Sequence, residues 1–182
     1  MVKAGLIAFA ATLFAIPSLA RAQVHDSSFT EANGDRVLQQ SIDIHGKAAC
    51  VWKRLTDEAT LKASGIPLVH VELRNGGVIE EGLFDAAKLG DEGNIRHQII
   101  AYLPERLLVL RNQQVPPIVT GSKLYANIVQ IVAVDPRDDG SVRLTISHTG
   151  YGGADYDPLY SFFHDHNPTF LLAAKKACES PK

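Results

Sequence analysis

The chain has 182 residues, of which 46% are hydrophobic and 21% are charged, and its formal net charge is −2 at pH 7. This length supports one domain with a substantial hydrophobic core. The near-balanced charge, without a cluster of Lys and Arg, argues against nucleic acid or an anionic lipid surface as a partner.

The first 22 residues have the pattern of a bacterial secretory signal peptide. Lys3 supplies the positive charge, residues 4–16 are apolar, and the small-x-small sequence at 20–22 is a cleavage site that leaves Gln23 first. An uncleaved membrane anchor is the alternative, although the apolar run is shorter than the ~20 residues of a spanning helix. We expect a periplasmic or secreted protein without stable membrane insertion. Its mature charge is −4, because the removed segment holds two basic residues and no acidic one.

The chain has two cysteines, Cys50 and Cys178. An even number in an oxidising compartment favours a disulfide, whereas two buried free thiols are the alternative. The absence of a Cys-x-x-Cys sequence excludes a zinc knuckle or a thioredoxin-like motif.

The first part of the mature chain predicts a leader, a strand and two helices. Residues 23–36 are polar and predict a flexible leader. Residues 37–45 alternate apolar and polar side chains, which predicts the first strand. A short helix follows at 48–56, and Asp57 is a suitable N-cap for a second helix that ends at Ala63.

The middle of the chain predicts six strands separated by turn sequences and loops. They span residues 68–74, 77–84, 94–102, 106–112, 123–134 and 142–149. Connections of hairpin length predict an antiparallel sheet.

A long helix is predicted from Asp157, an N-cap followed by Pro158, to about Glu179. Pro168 lies inside it and predicts a kink or a short break. The predicted fold class is α+β, a curved antiparallel sheet wrapped around this helix, with two short helices after the first strand. The predicted apolar face of the long helix consists of residues at helical spacing. They are Leu159, Phe162, Phe163, His166, Phe170 and Ala173.

This order of elements resembles the helix-grip fold of the SRPBCC (START/Bet v1-like) superfamily. The chain is most similar to its bacterial Hsp90-ATPase-activator-like or polyketide-cyclase-like branch, over about Gln40 to Cys178, and residues 37–182 are expected to form one such domain. The segments that carry the resemblance are ACVWKRLTD at 49–57, YLPERLL at 102–108, VRLTISHTGY at 142–151 and YDPLYSFF at 156–163.

The resemblance implies a cavity between the sheet and the C-terminal helix that holds a small hydrophobic or amphipathic molecule. Some members use that cavity as an active site for cyclisation or dehydration. Export of this chain argues against Hsp90 as a partner. The resemblance also brings the first helix close to the end of the last one, which favours a disulfide between Cys50 and Cys178.

His97 and His148 are the candidate catalytic residues, because each shares a strand face with apolar side chains. An imidazole in the cavity could orient a ligand carbonyl or act as a general base. The alternative is that each donates to a backbone carbonyl or a tyrosine and has no further role.

Other candidate ligand-binding residues follow from the predicted faces. Arg111 shares a face with Leu107 and Val109, so it would bind an acidic group if it pointed inward, although an exposed arginine at a strand end is more common. Either Asn127 or Gln130 should point inward. The remaining candidates, at the mouth or roof of the cavity, are Tyr151, Phe162, Phe163, His166 and Phe170.

The sequence His164-Asp165-His166 does not predict a metal site, because residues two apart on a helix point about 200° from each other. No phosphate loop, nucleotide fingerprint or nucleophile motif is present, so we expect no cofactor.

Three functions remain open from the sequence. The first is a binding protein that holds a small apolar or amphipathic ligand without chemistry. The second is a cyclase or dehydratase-type enzyme that uses His97 or His148 as a general base. The third is a structural or interaction protein whose interior is filled by Trp52 and the phenylalanines.

Overall fold

The computed structural model of the protein describes residues 24–119 and 121–179. The expected signal peptide lies outside the described residues. The elements, in chain order, are β1 (His25–Asp26), β2 (Phe29–Thr30), β3 (Arg36–Ile44), α1 (Ala48–Thr56), α2 (Glu58–Ala63), β4 (Leu68–Val71), β5 (Val78–Gly82), β6 (Asn94–Leu103), β7 (Leu107–Gln114), α3 (Ser122–Tyr125), β8 (Val129–Pro136), β9 (Val142–Tyr151) and α4 (Asp157–Glu179).

The strands form one antiparallel sheet in the order β1-β3-β9-β8-β7-β6-β5-β4, and β2 also pairs with β3. The helix α4 lies along β3 and covers the sheet. The predicted α+β class, with a curved antiparallel sheet around a long terminal helix, is confirmed. The predicted N-cap of α2 is also present, since the Asp57 carboxylate accepts a hydrogen bond from the Thr60 amide at 2.8 Å.

Two segments differ from the prediction. The expected leader contains β1 and β2, and both pair with β3. Strands of two residues are too short to show alternation in a sequence. The predicted long strand at 123–134 is interrupted, because its first residues form α3 and β8 begins only at Val129. Gly121 precedes α3 in the left-handed region (φ 70°), a conformation that turns the chain away from an extended path.

The hydrophobic interior has two parts. The larger core lies between the sheet, α1 and the second half of α4, and includes Trp52, Ile99, Leu144 and Leu171. A smaller core lies at the other end of the interior. Its residues are nearly inaccessible to solvent, and they are Leu38, Ile128, Tyr151 and Leu159.

A disulfide joins Cys50, in the first turn of α1, to Cys178, in the last turn of α4, with a Cα–Cα distance of 5.8 Å. The pairing expected from the family resemblance is therefore present. Gly46 allows this close approach, because a Cβ atom there would lie 2.9 Å from the Cys178 carbonyl oxygen. The bridge fixes the end of α4 against α1.

Pro168 does not break α4, which is continuous from Asp157 to Glu179. A proline has no N–H, so the carbonyl four residues earlier, that of His164, loses its helical donor. The side chain of Gln40 on β3 replaces that donor, with its Nε2 3.1 Å from the His164 oxygen. The short break predicted as one effect of Pro168 is therefore absent, and the freed carbonyl of the helix is bonded to the sheet.

A double-mutant cycle tests this replacement. Gln40→Met should lower the free energy of unfolding by about 1–3 kcal/mol, because it leaves the His164 carbonyl without its donor. In a Pro168→Ala background the helix supplies its own donor, so the same change should cost about 1 kcal/mol less. Urea unfolding of the four proteins measures the coupling. Equal costs of Gln40→Met in both backgrounds would show that Gln40 does not replace a donor lost to Pro168.

Candidate functional site

A cavity of about 210 Å³ lies where the two cores meet, beneath the middle of α4. One side is the sheet from β5 to β8, and the other is formed by α1, α2, α3 and α4. Most of its wall is apolar, and the residues that contribute are Leu55, Leu61, Ile79, Leu108, Leu110, Val132, Phe163 and Phe170.

Polar side chains enter the cavity at five positions. The alternation of β5 places Glu81 on the same face as Ile79, and Ile79 pairs with His97 on β6. Gln130 on β8 pairs with Leu110 on β7. The polar lining residues are Arg54, Glu81, His97, Tyr125 and Gln130.

His97 lines the cavity and is 9% exposed. Burial lowers its pKa from the ordinary 6.5 to about 4, because the charged form is disfavoured away from water. The imidazole is therefore neutral at pH 7. Its ring meets the edge of the Tyr125 ring, with 6.2 Å between the centroids.

His148 points inward as predicted but does not line the cavity. It is fully buried, and the Phe163 ring stacks on it at 4.3 Å. Burial, with a smaller contribution from His97, lowers the pKa of His148 to about 3. Neither of its ring nitrogens has a hydrogen-bond partner among the described residues. The two histidines therefore do not converge on one point of the cavity.

Glu81 and Tyr125 are site residues that the sequence analysis missed. Burial raises the pKa of the Glu81 carboxyl. Burial also raises the pKa of the Tyr125 hydroxyl, and the nearby Glu81 adds to that shift. The alternation of Ile79 and Glu81 was a signal for the carboxylate, whereas Tyr125 was hidden because its segment had been assigned to a strand.

Arg111 does not enter the cavity. It shares a face with Leu107 and Val109 as expected, but that face is the outer one, and Arg111 is exposed. The inner face of β7 instead carries Leu108, Leu110 and Asn112, as its burial pattern shows. Both faces of this strand begin with two apolar residues, so periodicity alone did not identify the inner one.

Tyr151 is not at the mouth of the cavity but is fully buried in the smaller core. The preceding Gly150 has φ 95°, and this turn of the backbone interrupts the alternation of β9. A side chain at Gly150 would collide with the Asn127 carbonyl oxygen, so the position requires glycine. Between the two candidates on the long predicted strand, Gln130 is the inward one, and Asn127 bonds the Tyr156 hydroxyl instead.

The buried face of α4 is rotated from the predicted one. Phe163 and the partly exposed Phe170 line the cavity, whereas Phe162 and His166 are exposed away from it and stack on each other at 4.3 Å. The prediction missed this orientation because the buried stripe includes a polar residue, Asn167, which a hydrophobic pattern does not count. The buried residues of α4 are Leu159, Asn167, Leu171 and Ala174.

Within residues 24–119 and 121–179, no cluster of three or more His, Cys, Asp or Glu side chains has an arrangement that could hold a metal ion. None of the helices in the same ranges is both long and apolar enough to cross a bilayer.

Several solved structures are similar to this one. The Aha1 dimer from Colwellia psychrerythraea matches with a TM-score of 0.62 and 12% identity, over 79% of this chain and 96% of that chain. CalU16 from Micromonospora echinospora matches with a TM-score of 0.57 and 15% identity, over 87% of each chain. XoxI from Bacillus cereus matches with a TM-score of 0.55 and 19% identity, over 78% of this chain and 94% of that chain.

These similarities establish that the chain has the helix-grip fold. No model of a known protein family and no curated protein matches the chain.

The two buried histidines predict a loss of stability in mild acid. The unfolded chain binds protons below about pH 6.5, whereas folded His97 and His148 stay neutral down to about pH 4 and about 3. The free energy of unfolding should therefore fall as the pH drops from 6.5, by about 2 kcal/mol for each histidine at pH 5. Denaturant unfolding at pH 7.5 and pH 5 measures this change.

The controls are single substitutions by glutamine. His97→Gln and His148→Gln should each reduce the pH-dependent loss, whereas the exposed His25→Gln should leave it unchanged. An equal loss in all three variants would contradict the shifted pKa values.

Proposed function

We propose that this protein binds a small hydrophobic or amphipathic molecule in the cavity between the sheet and α4. The observation that carries the proposal is the composition of the wall, in which apolar side chains from both layers surround a few polar groups. Cavities of this kind are the usual form of small-molecule sites.

The volume limits the size of the ligand. Pockets for drug-sized molecules measure about 300–1,000 Å³, and an apolar cavity of about 150 Å³ accepts benzene. The 210 Å³ of this cavity suits one aromatic ring with a short polar substituent. Leu61 and Phe170 line the cavity from α2 and α4, and since neither is fully buried we place the entrance between them.

Acid–base chemistry, as in a cyclase or dehydratase, is the second candidate. It is favoured by the Glu81 carboxyl, whose raised pKa in an apolar cavity is the property of a general acid. His148 is not supported as the general base, since Phe163 covers it. His97 remains available to a ligand.

We further propose that the protein acts in the periplasm or outside the cell, as an exported member of the SRPBCC superfamily. The signal-like sequence at 1–22 supports export, and the disulfide between Cys50 and Cys178 suits an oxidising compartment.

A neutral probe tests ligand binding. 2-Phenylethanol should shift backbone amide resonances of cavity residues in two-dimensional NMR spectra. Leu61→Trp should weaken binding ~10-fold or more, because the larger side chain fills the entrance. Leu83→Trp is the matched control, since Leu83 is 38% exposed and does not line the cavity.

Binding that survives Leu61→Trp, or shifts that lie away from the cavity, would contradict the proposed site. Gentle purification followed by native mass spectrometry and organic extraction would then identify any molecule that the protein carries.

Cell fractionation tests the compartment. The protein should be recovered from the periplasm or medium with Gln23 as its first residue, and its intact mass should be two hydrogens below that of the reduced chain. Recovery in the membrane fraction with residues 1–22 retained would instead support the uncleaved anchor.

A further inference from the structure

Two adjacent glutamates on β5 have opposite environments. Glu80 faces away from the cavity, and its Oε1 accepts hydrogen bonds of 2.6 Å from the Gly90 amide and from Asn94 Nδ2. Its other oxygen lies 3.4 Å from Arg96 Nε. The carboxylate of Glu80 is thus satisfied by the protein and serves the structure.

Glu81 lines the cavity, is only partly exposed to solvent and lacks such partners. Among residues 24–119 and 121–179, no side chain or backbone group forms a hydrogen bond or an ion pair with its carboxyl. A carboxylate removed from water is costly unless a cation or several donors compensate it. A site that holds such a group uncompensated by the protein is suited to a ligand that brings the missing charge.

The rest of the cavity determines which charge that is. The rings of Tyr125, Phe163 and Phe170 line the wall, and aromatic faces attract organic cations. His97 is neutral at pH 7, so it does not compete for Glu81. An acidic ligand would be repelled by the same carboxylate that attracts a cation.

Arg54 is the one permanently charged cation among the lining residues. It extends from α1 and forms no ion pair with Glu81 in the described structure. A ligand carboxylate would pair with Arg54 rather than with Glu81, so the two residues make opposite predictions for the charge of the ligand. Glu81 is favoured because it lies among apolar groups of the wall, where its interaction with a cation is least screened by water.

We propose that the cavity selects a small amphipathic amine, whose ammonium group pairs with the Glu81 carboxylate while its ring or chain packs against the apolar wall. This inference rests on the proposed function, which is binding in the same cavity, and adds the chemical class of the ligand.

Binding of an amine is then linked to a proton. Burial raises the pKa of Glu81, and an adjacent ammonium lowers it again by favouring the ionised form. The affinity for an amine should decrease as the pH falls and Glu81 becomes protonated. The other titratable groups that face the cavity are His97 on β6, Tyr125 on α3 and Arg54 on α1, and α4 contributes only apolar lining residues.

Three ligands with one phenyl ring separate the possibilities in calorimetric titrations of the mature protein. They are 2-phenylethylamine, 2-phenylethanol and 3-phenylpropionate, which carry a positive, a neutral and a negative group. The amine should bind ~10-fold or more tightly than the alcohol, which is the ratio expected for a charge-assisted hydrogen bond. The acid should bind most weakly.

Glu81→Gln keeps the shape of the side chain and removes its charge. This variant should lose the preference for the amine and its dependence on pH, while its affinity for the alcohol stays within a few-fold of the original. Glu92→Gln makes the same change of charge at an exposed position and should alter neither property.

The outcomes distinguish the ligand class from the site itself. Equal binding of amine and alcohol, or tightest binding of the acid, would overturn the amine proposal and leave ligand binding intact. A preference for the amine that persists in Glu81→Gln would also overturn it. Failure of all three ligands to bind would overturn both the amine proposal and the proposed function.

Discussion

The arrangement of this protein depends on how one helix is held against one strand. The helix α4 runs alongside β3 in the same direction, and polar contacts join them at intervals over their whole length. From one end to the other, the contacts are Arg36 with Asp157, Gln40 with the His164 carbonyl, Lys175 with the Asp43 carbonyl, and the His45 amide with Glu179. The disulfide at Cys178 adds a covalent link at the far end.

This one-sided attachment explains where the cavity lies. The lining residues from the sheet belong to β5, β6, β7 and β8, and none belongs to β3 or β9. The helix is therefore closely packed over one half of the sheet and stands away from the other half. A curved sheet covered by a single helix cannot be filled evenly, because the helix is about 10 Å wide and the sheet is much wider. The space that remains is closed by α1, α2 and α3.

The sequence predicted the architecture well because the architecture follows from patterns that a sequence displays directly. Alternation marked most of the strands, Asp57 and Asp157 marked helix starts, and the family resemblance favoured the bridge between the two cysteines. The site was harder to predict because it depends on which face of each element turns inward. Arg111 illustrates the difficulty, since its strand is apolar on both faces and only the packed structure shows that Arg111 lies outside.

The same reason accounts for the errors on α4 and at α3. The buried stripe of α4 passes through Asn167, and a search for apolar residues shifted it toward Phe162 and His166. Tyr125 was placed on a strand because its neighbours are apolar, yet the turn at Gly121 makes the segment helical. On α4 a local pattern was overridden by packing against the rest of the chain, which a single sequence does not show, whereas at α3 the local turn at Gly121 was missed.

Buried polar groups carry the strongest functional signal in this fold, and they are not equivalent. His148 is costly to bury, but the Phe163 ring covers it, so no ligand in the cavity can reach it. Glu80 is buried, and two hydrogen bonds and an ion pair with Arg96 hold its carboxylate, which makes it part of the structure. Glu81 alone combines a raised pKa, a place on the cavity wall and the absence of a partner among the described residues.

Burial opposes the ionisation of the Glu81 carboxyl, and no hydrogen bond or ion pair from the described residues offsets that effect. A charged residue without a partner on an apolar cavity wall does not contribute to folding. Such a residue therefore indicates a function. In the proposed complex, the ammonium group of the ligand supplies that compensation. The same carboxylate that lowers the stability of the protein alone would raise its affinity for a cation.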